Sequence, residues 1–351
     1  MPRMLRLPRI AGTGAVAVAL AVLASAATAA AVQPRPPSPS SSSPTHMSPS
    51  PGHVSPSPAQ VSLTHPRIVA HFDFAAGQTP ESIALEPDGS ADLSFALARQ
   101  VARVDKHGDT QILATLPTEP NPATPIVGVA VTTGLVRTHD GVLYVGHNTG
   151  TDLTGIYRIT PDGEVSRITD GLPSNVFVNG LTLDEEHGVL YAADSFLGKV
   201  WRISLDDGAV TTWATGTELE RVGFIGANGI KVHGDSVWVT NSDKGTLLRI
   251  PVEPDGSAGP ISTRATGLAG IDDFTFIGQG PTVLAALNPS NEVALVRPDG
   301  THSIVLTERA GLSNPTAVAI RHQKVYVTSA SFSEVEKDPN LLIAHLEEHH
   351  P

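Results

Sequence analysis

The feature that most constrains this chain is a pattern that occurs six times. Each copy has a Gly- or Pro-marked start, a short apolar strand, a turn, and then two further strands of "LYV" and "VxRI" type. The copies begin near "PESIALEPDG" (Pro80), "IVGVAVTTG" (Ile126), "FVNGLTLDEE" (Phe177), "GANGIKVHGD" (Gly226), "GIDDFTFIGQ" (Gly270) and "SNPTAVAIRH" (Ser313). Middle strands align as "LSFALA", "LYVGHN", "LYAADS", "VWVTNS", "VLAALN" and "VYVTSA", and third strands as "VARV", "IYRI", "VWRI", "LLRI", "VALV" and "LLIAHL". Asp-Gly turns at 161–163, 206–208, 254–256 and 298–300 follow four of the third strands. A period of roughly 43 to 52 residues with three or four strands per copy predicts β-propeller blades. No segment sustains a 3.6-residue apolar period, so helices are not expected. The fold class is therefore all-β, a six-bladed β-propeller. The unassigned strand "RIVAHFDF" (Arg67–Phe74) is expected to complete the last blade and close the ring. A β-sandwich is the alternative, but it gives no reason for six similar units.

The repeats do not use the whole chain. Residues 1–30 carry Arg3, Arg6 and Arg9 ahead of a small apolar run ending in Ala27-Thr28-Ala29. This reads as a secretory signal peptide, with a membrane anchor as the alternative; the Ala-rich run is weakly hydrophobic, which favours cleavage. Residues 31–60 are dominated by Pro and Ser and read as an extended linker. Residues 61–351 then form the propeller. The implied location is secreted or extracytoplasmic, with no membrane insertion once the signal is removed. The chain has no cysteine, which excludes disulfides, thiolate metal sites and cysteine nucleophiles. Its formal charge of −12 argues against nucleic acid and anionic membranes as partners and suits cations or neutral small molecules.

In a propeller, polar residues at the start of each innermost strand converge on a central channel. The six starts offer Glu81, Val127, Asn179, Asn228, Asp272 with Asp273, and Asn314 with Thr316. Each acid or amide precedes an otherwise apolar strand. Carboxylates and amide oxygens without His or Cys suit a hard cation, above all Ca²⁺, and Mg²⁺ less well. Taken singly, Asn179-Gly180 and Asn228-Gly229 also read as turns, Glu81 as a capping or edge residue, and Asp272 and Asp273 as solvated turn carboxylates. Their shared register is what favours one divalent cation in the channel, held by Glu81, Asn179, Asn228, Asp272 and Asp273.

The stretches "PESIALEPDG", "FVNGLTLDEEHGVLYAADSFLGKVWRI" and "GANGIKVHGDSVWVTNSDKGTLLRI" resemble blades of the senescence-marker-protein-30/gluconolactonase family and its six-bladed relatives, including paraoxonases. The resemblance covers about 65 to 345 and is strongest between 177 and 250. It implies a Ca²⁺-dependent lactonase or esterase, with Glu81 and Asn179 as ligands and Asn228, Asp272 and Asp273 in a paraoxonase-like arrangement. It also puts His147 where paraoxonases carry the second histidine of a dyad, whose first partner is replaced here by Ile126 or Val127. A lone histidine at a strand end is as readily a structural hydrogen-bonder as a base.

Two functions follow as expectations. One is a secreted Ca²⁺-dependent hydrolase of a lactone or related ester, with Asp272, Asp273 or His147 taking the proton from an attacking water. The other is a non-catalytic propeller that binds a ligand and whose cation is structural. There is no Gly-x-Ser-x-Gly elbow, and Ser195 lacks His and Asp partners in sequence. The histidines of "HLEEHHP" (His345, His349, His350) fall at a C-terminus expected to be frayed, with no role expected.

Overall fold

Strands dominate because apolar and β-branched runs of five to seven residues alternate with Gly-marked turns, leaving no room for a helical face. The structure is a computed structural model that describes residues 60–349. The expected signal peptide and all of the expected linker but Gln60 lie outside the described residues. Within them are six four-stranded antiparallel sheets. The only helical turns among them are Asn288–Ser290 and Glu308–Ala310. No helix among the described residues is long and apolar enough to cross a membrane.

Each repeat supplies one sheet, or blade, in chain order. The innermost strands are Pro80–Leu85, Val131–Arg137, Val178–Asp184, Ala227–His233, Ile271–Phe276 and Pro315–Arg321, belonging to blades 1 to 6. Blade 6 takes its outer strand from the start of the fold: Gln60–His71 pairs antiparallel with Asn340–His349. The ring is closed as expected, although the closing strand starts before Arg67 and stops at His71. His345 is part of the same pairing, opposite Thr64 and Lys324, so that stretch of the C-terminus is ordered strand.

The core is divided among the seams between blades. One cluster joins blades 3 and 4 through Tyr191, Val200, Ile230 and Val239. Another joins blades 4 and 5 through Trp238, Leu247 and Phe274. A third joins blades 6 and 1 through Leu341, Tyr326, Leu93 and Phe95. Because every blade is covered on both faces, middle strands such as "LYVGHN" and "LYAADS" are buried at every position. Full burial of each Val, Leu or Ile contributes about 1.5–3 kcal/mol.

Hydroxyls stitch the inner ends of the same seams. Ser94 donates to the Thr133 carbonyl at 2.6 Å and Thr133 to the Val178 carbonyl at 2.6 Å. Ser195 donates to the Ala227 carbonyl at 2.6 Å, Thr240 to the Asp272 carbonyl at 2.7 Å, and Thr316 to the Pro80 carbonyl at 2.9 Å. Ser195 is thus a seam residue. Its neighbour Asp194 accepts from the backbone of Phe177, Phe196 and Leu197 and from the Trp201 indole, which ties down the turn beside it.

Candidate metal centre in the channel

Every inner strand carries one break in register. It falls between Pro80 and Ser82, Thr132 and Leu135, Val178 and Leu181, Ala227 and Ile230, Ile271 and Phe274, and Pro315 and Ala317. The residues left over are Glu81, Thr133-Gly134, Asn179-Gly180, Asn228-Gly229, Asp272-Asp273 and Thr316. A bulge re-aims a side chain out of the sheet plane. Of these residues Glu81, Gly134, Asn179, Gly180, Asn228, Gly229, Asp272 and Asp273 line the channel cavity, while Thr133 and Thr316 turn their hydroxyls into the seams. The second blade corrects the sequence reading: its channel position is Thr133-Gly134, and Ile126 and Val127 lie in the loop before it. Asn314 also stands apart, its amide donating to the Asn288 carbonyl and accepting from Ser333.

The glycines at the bulges explain why the blades can converge so tightly. A Cβ on Gly134 would stand 2.6 Å from the Asn179 carbonyl oxygen; one on Gly180, 2.3 Å from that of Asn228; one on Gly229, 2.6 Å from that of Asp272. None of the three has a positive φ. The Asn-Gly steps therefore serve close approach of neighbouring backbones, and not a turn.

Glu81, Asn179, Asn228, Asp272 and Asp273 line one cavity of about 10 Å³, together with Ser82, Leu181 and the three bulge glycines. That is about the space of a single water-sized particle. Glu81 Oε2 is fully enclosed and has no hydrogen-bond partner among the described residues. Asn179 turns its NH₂ to the Ser195 hydroxyl at 3.2 Å, and Asn228 turns its NH₂ to Ser242 at 2.9 Å and to Asp272 Oδ1 at 2.8 Å. Among the described residues neither amide oxygen accepts one of these hydrogen bonds. Asp272 also accepts from the Asn288 amide at 3.2 Å.

Burial, and next the Asp273 charge, push the Glu81 carboxyl up to about 8. Burial, then Glu81 and Asp273, raise Asp272 well above the usual carboxylate range. Such groups either keep a proton or need a cation. Asp273 has a resident partner that the sequence reading missed. The Lys231 ammonium, three residues beyond Asn228 on the same inner strand, lies 2.6 and 2.5 Å from its two oxygens.

Measured against these observations, the oxygens of Glu81, Asn179, Asn228 and Asp272 fit a hard, oxygen-bound cation, while Asp273 lines the same cavity with both oxygens ion-paired to Lys231. Among the described residues no three His, Cys, Asp or Glu side chains form a preformed metal cluster. Carboxylates alone would not hold a cation here, and the Asn179 and Asn228 amides would have to complete the set.

His147 lies outside the cavity, on the second strand of blade 2. Its Nε2–H donates to the Pro117 carbonyl at 2.7 Å and its ring meets Tyr157 edge-on at 5.3 Å. Burial, outweighing that hydrogen bond, pushes the imidazole down to about 4, so the ring is neutral near pH 7. Ala96, Val131 and Phe177 gather Leu97, Ile126, Val127, Val129, Phe196 and Phe332 into an apolar cluster beside the starts of inner strands. Its members come from blades 1, 2, 3 and 6 and the loops between them.

A family model described as a repeat of unknown function (DUF6923) matches residues 89–270. The protein asR5 of Sarocladium schorii, whose name proposes a hetero-Diels-Alderase, is 30% identical over 161 residues. That match spans 41% of this chain and 38% of the length of asR5. Among solved structures, regucalcin of Agrobacterium tumefaciens, a calcium-binding protein, is 16% identical with a TM-score of 0.60, over 82% of this chain and 96% of its own. PQQ-bound aldose sugar dehydrogenase of Streptomyces coelicolor is 15% identical with a TM-score of 0.61, over 84% and 100%. Virginiamycin B lyase of Staphylococcus aureus is 14% identical with a TM-score of 0.53, over 82% and 99%. At such identities these likenesses speak to the propeller fold.

Proposed function

We propose that this chain, which belongs to the family of repeats of unknown function (DUF6923), is an exported propeller holding one divalent cation, Ca²⁺ above all, and hydrolysing a lactone or related ester over the channel mouth. The observation that carries the reading is Glu81 Oε2, enclosed and without a hydrogen-bond partner among the described residues, in a one-particle cavity that Asn179, Asn228 and Asp272 also line. The resemblance to gluconolactonase- and paraoxonase-type propellers supports the same choice of ion and substrate class.

Glu81, Asn179, Asn228 and Asp272 would hold the ion. When bound, such an ion supplies Lewis-acid polarisation of a carbonyl oxygen. The apolar cluster of Ile126, Val127, Phe196 and Phe332 would seat the substrate's hydrocarbon part and keep bulk water away. Of the three candidate bases, Asp273 has both oxygens on the Lys231 ammonium and His147 lies off the channel, whereas Asp272 accepts only from the neutral amides of Asn228 and Asn288. With the ion bound and its carboxyl ionised, Asp272 would be the candidate to take a proton from an attacking water.

A second reading is a structural cation in a propeller that does not hydrolyse. The small cavity favours it, since it has room for an ion and not for a substrate beside it. The likeness to asR5 points the same way, because a cycloaddition asks for an apolar seat and no activated water.

The test is Ca²⁺-titrated turnover of γ- and δ-lactones and an aryl ester by the full exported chain, beside Glu81→Ala and Asn179→Ala. Turnover that needs Ca²⁺ and is lost in both variants supports the hydrolase. A rise in Tm with Ca²⁺ and no turnover selects the structural ion. If Ca²⁺ alters neither, the cation reading falls.

A further inference from the structure

We infer that Lys231 is a counter-cation built into the channel, and that its ammonium sets which ions the cage accepts and how tightly. The inference rests on the reading of the cage as a cation site, and its test separates the two.

Lys231 stands on the blade 4 inner strand between Ile230 and Val232. Its side chain is 29% exposed and that of its partner Asp273 13%, so the ion pair is well shielded from water. The ammonium contacts both oxygens of Asp273 and lies 5.8 Å from the Phe274 ring centre. No Lys, Arg or His lines the cavity itself, so Lys231 is the basic group that compensates it.

Charge counting then gives selectivity. The cage gathers three carboxyl groups, on Glu81, Asp272 and Asp273. Lys231 cancels one of them and leaves two, which balances a divalent cation. A monovalent ion would leave the site under-neutralised, and a trivalent ion would over-neutralise it. The ammonium also repels any cation placed next to Asp273 and so weakens binding. Without Lys231 the cage would hold Ca²⁺ more tightly and would favour a trivalent ion still more.

The experiment is calorimetric titration of metal-stripped protein with Ca²⁺ and, separately, Tb³⁺. It compares the native chain with Lys231→Met, Lys231→Gln and Lys231→Arg, each first checked for native circular dichroism. Two neutral variants keep the test available if one does not fold. The expected result is Ca²⁺ binding roughly tenfold tighter in the neutral variants, a larger gain for Tb³⁺, and native-like affinity in Lys231→Arg.

If the native chain binds no Ca²⁺ but the neutral variants do, the role of Lys231 stands and the resident Ca²⁺ of the proposed function does not. If the native chain binds Ca²⁺ and the neutral variants bind it no better, the inference about Lys231 is overturned and the cage reading survives. Absence of binding in every protein overturns both.

Discussion

Glu81 shows what a single side chain can report. Unfolded, its carboxyl titrates near 4.5; folded and cation-free, it keeps its proton up to about 8. Between those values the folded state binds the extra proton. This contribution to stability is complete below about pH 4.5 and is lost as the pH rises toward 8. In chelator, the native chain should therefore lose Tm from pH 5 to pH 8. Glu81→Gln should lose about 6 °C less over that range, worth about 3 kcal/mol in a domain of this size. Thermal melts at fixed salt would show it, and equal slopes would mean that the carboxyl is not enclosed as described. Added Ca²⁺ should restore the native chain at pH 8 and leave the variant unchanged. Glu81, Asn179, Asn228, Asp272 and Asp273 could be read from the sequence because their register repeats. Lys231 could not: a lysine between Ile230 and Val232 looks like ordinary strand alternation until Asp273 arrives from the next blade.

The inner strand with its bulge is the element that makes the site. Its glycine is a packing device, and the prediction is correspondingly sharp. Gly134→Ala would drive a methyl into the Asn179 carbonyl and the Leu181 amide and should cost at least about 3 kcal/mol. Gly280→Ala is the control, because it meets nothing within 4 Å and has no positive φ, and it should fall within about 0.5 kcal/mol of native. Urea unfolding of both variants gives the comparison. The strands themselves were plain in the sequence, since middle strands buried on both faces read as continuous apolar runs. The misplacement at blade 2 came from "IVGVAV", an apolar run in the preceding loop that imitates a strand. The correct signal was a polar residue, then Gly, then an aliphatic one, shared by Thr133-Gly134-Leu135, Asn179-Gly180-Leu181 and Asn228-Gly229-Ile230. His147 misled for a related reason: a strand-end position does not reveal which of four strands reaches the axis.

At the scale of the molecule, stability comes from seams, and each blade depends on two neighbours. Closure by Gln60–His71 protects the edge of Asn340–His349. A chain beginning at Asp73 would leave that edge open, remove Val69 and Ala70 from the seam of blades 6 and 1, and remove Ile68 from beside Gly311. It should elute as aggregates or open oligomers in size-exclusion chromatography, with a lower Tm than the closed ring. A monodisperse monomer of unchanged Tm would show that the seam does not depend on the closing strand.

That pairing has a consequence for the order of the chain. Gln60 lies opposite His349 in one sheet, so the two ends of the described fold are neighbours. A ring joined in this way has a first blade only by the accident of where translation starts. With those ends linked, new termini placed in an exposed turn such as 161–163 would give a circular permutant with the same six seams and the same channel.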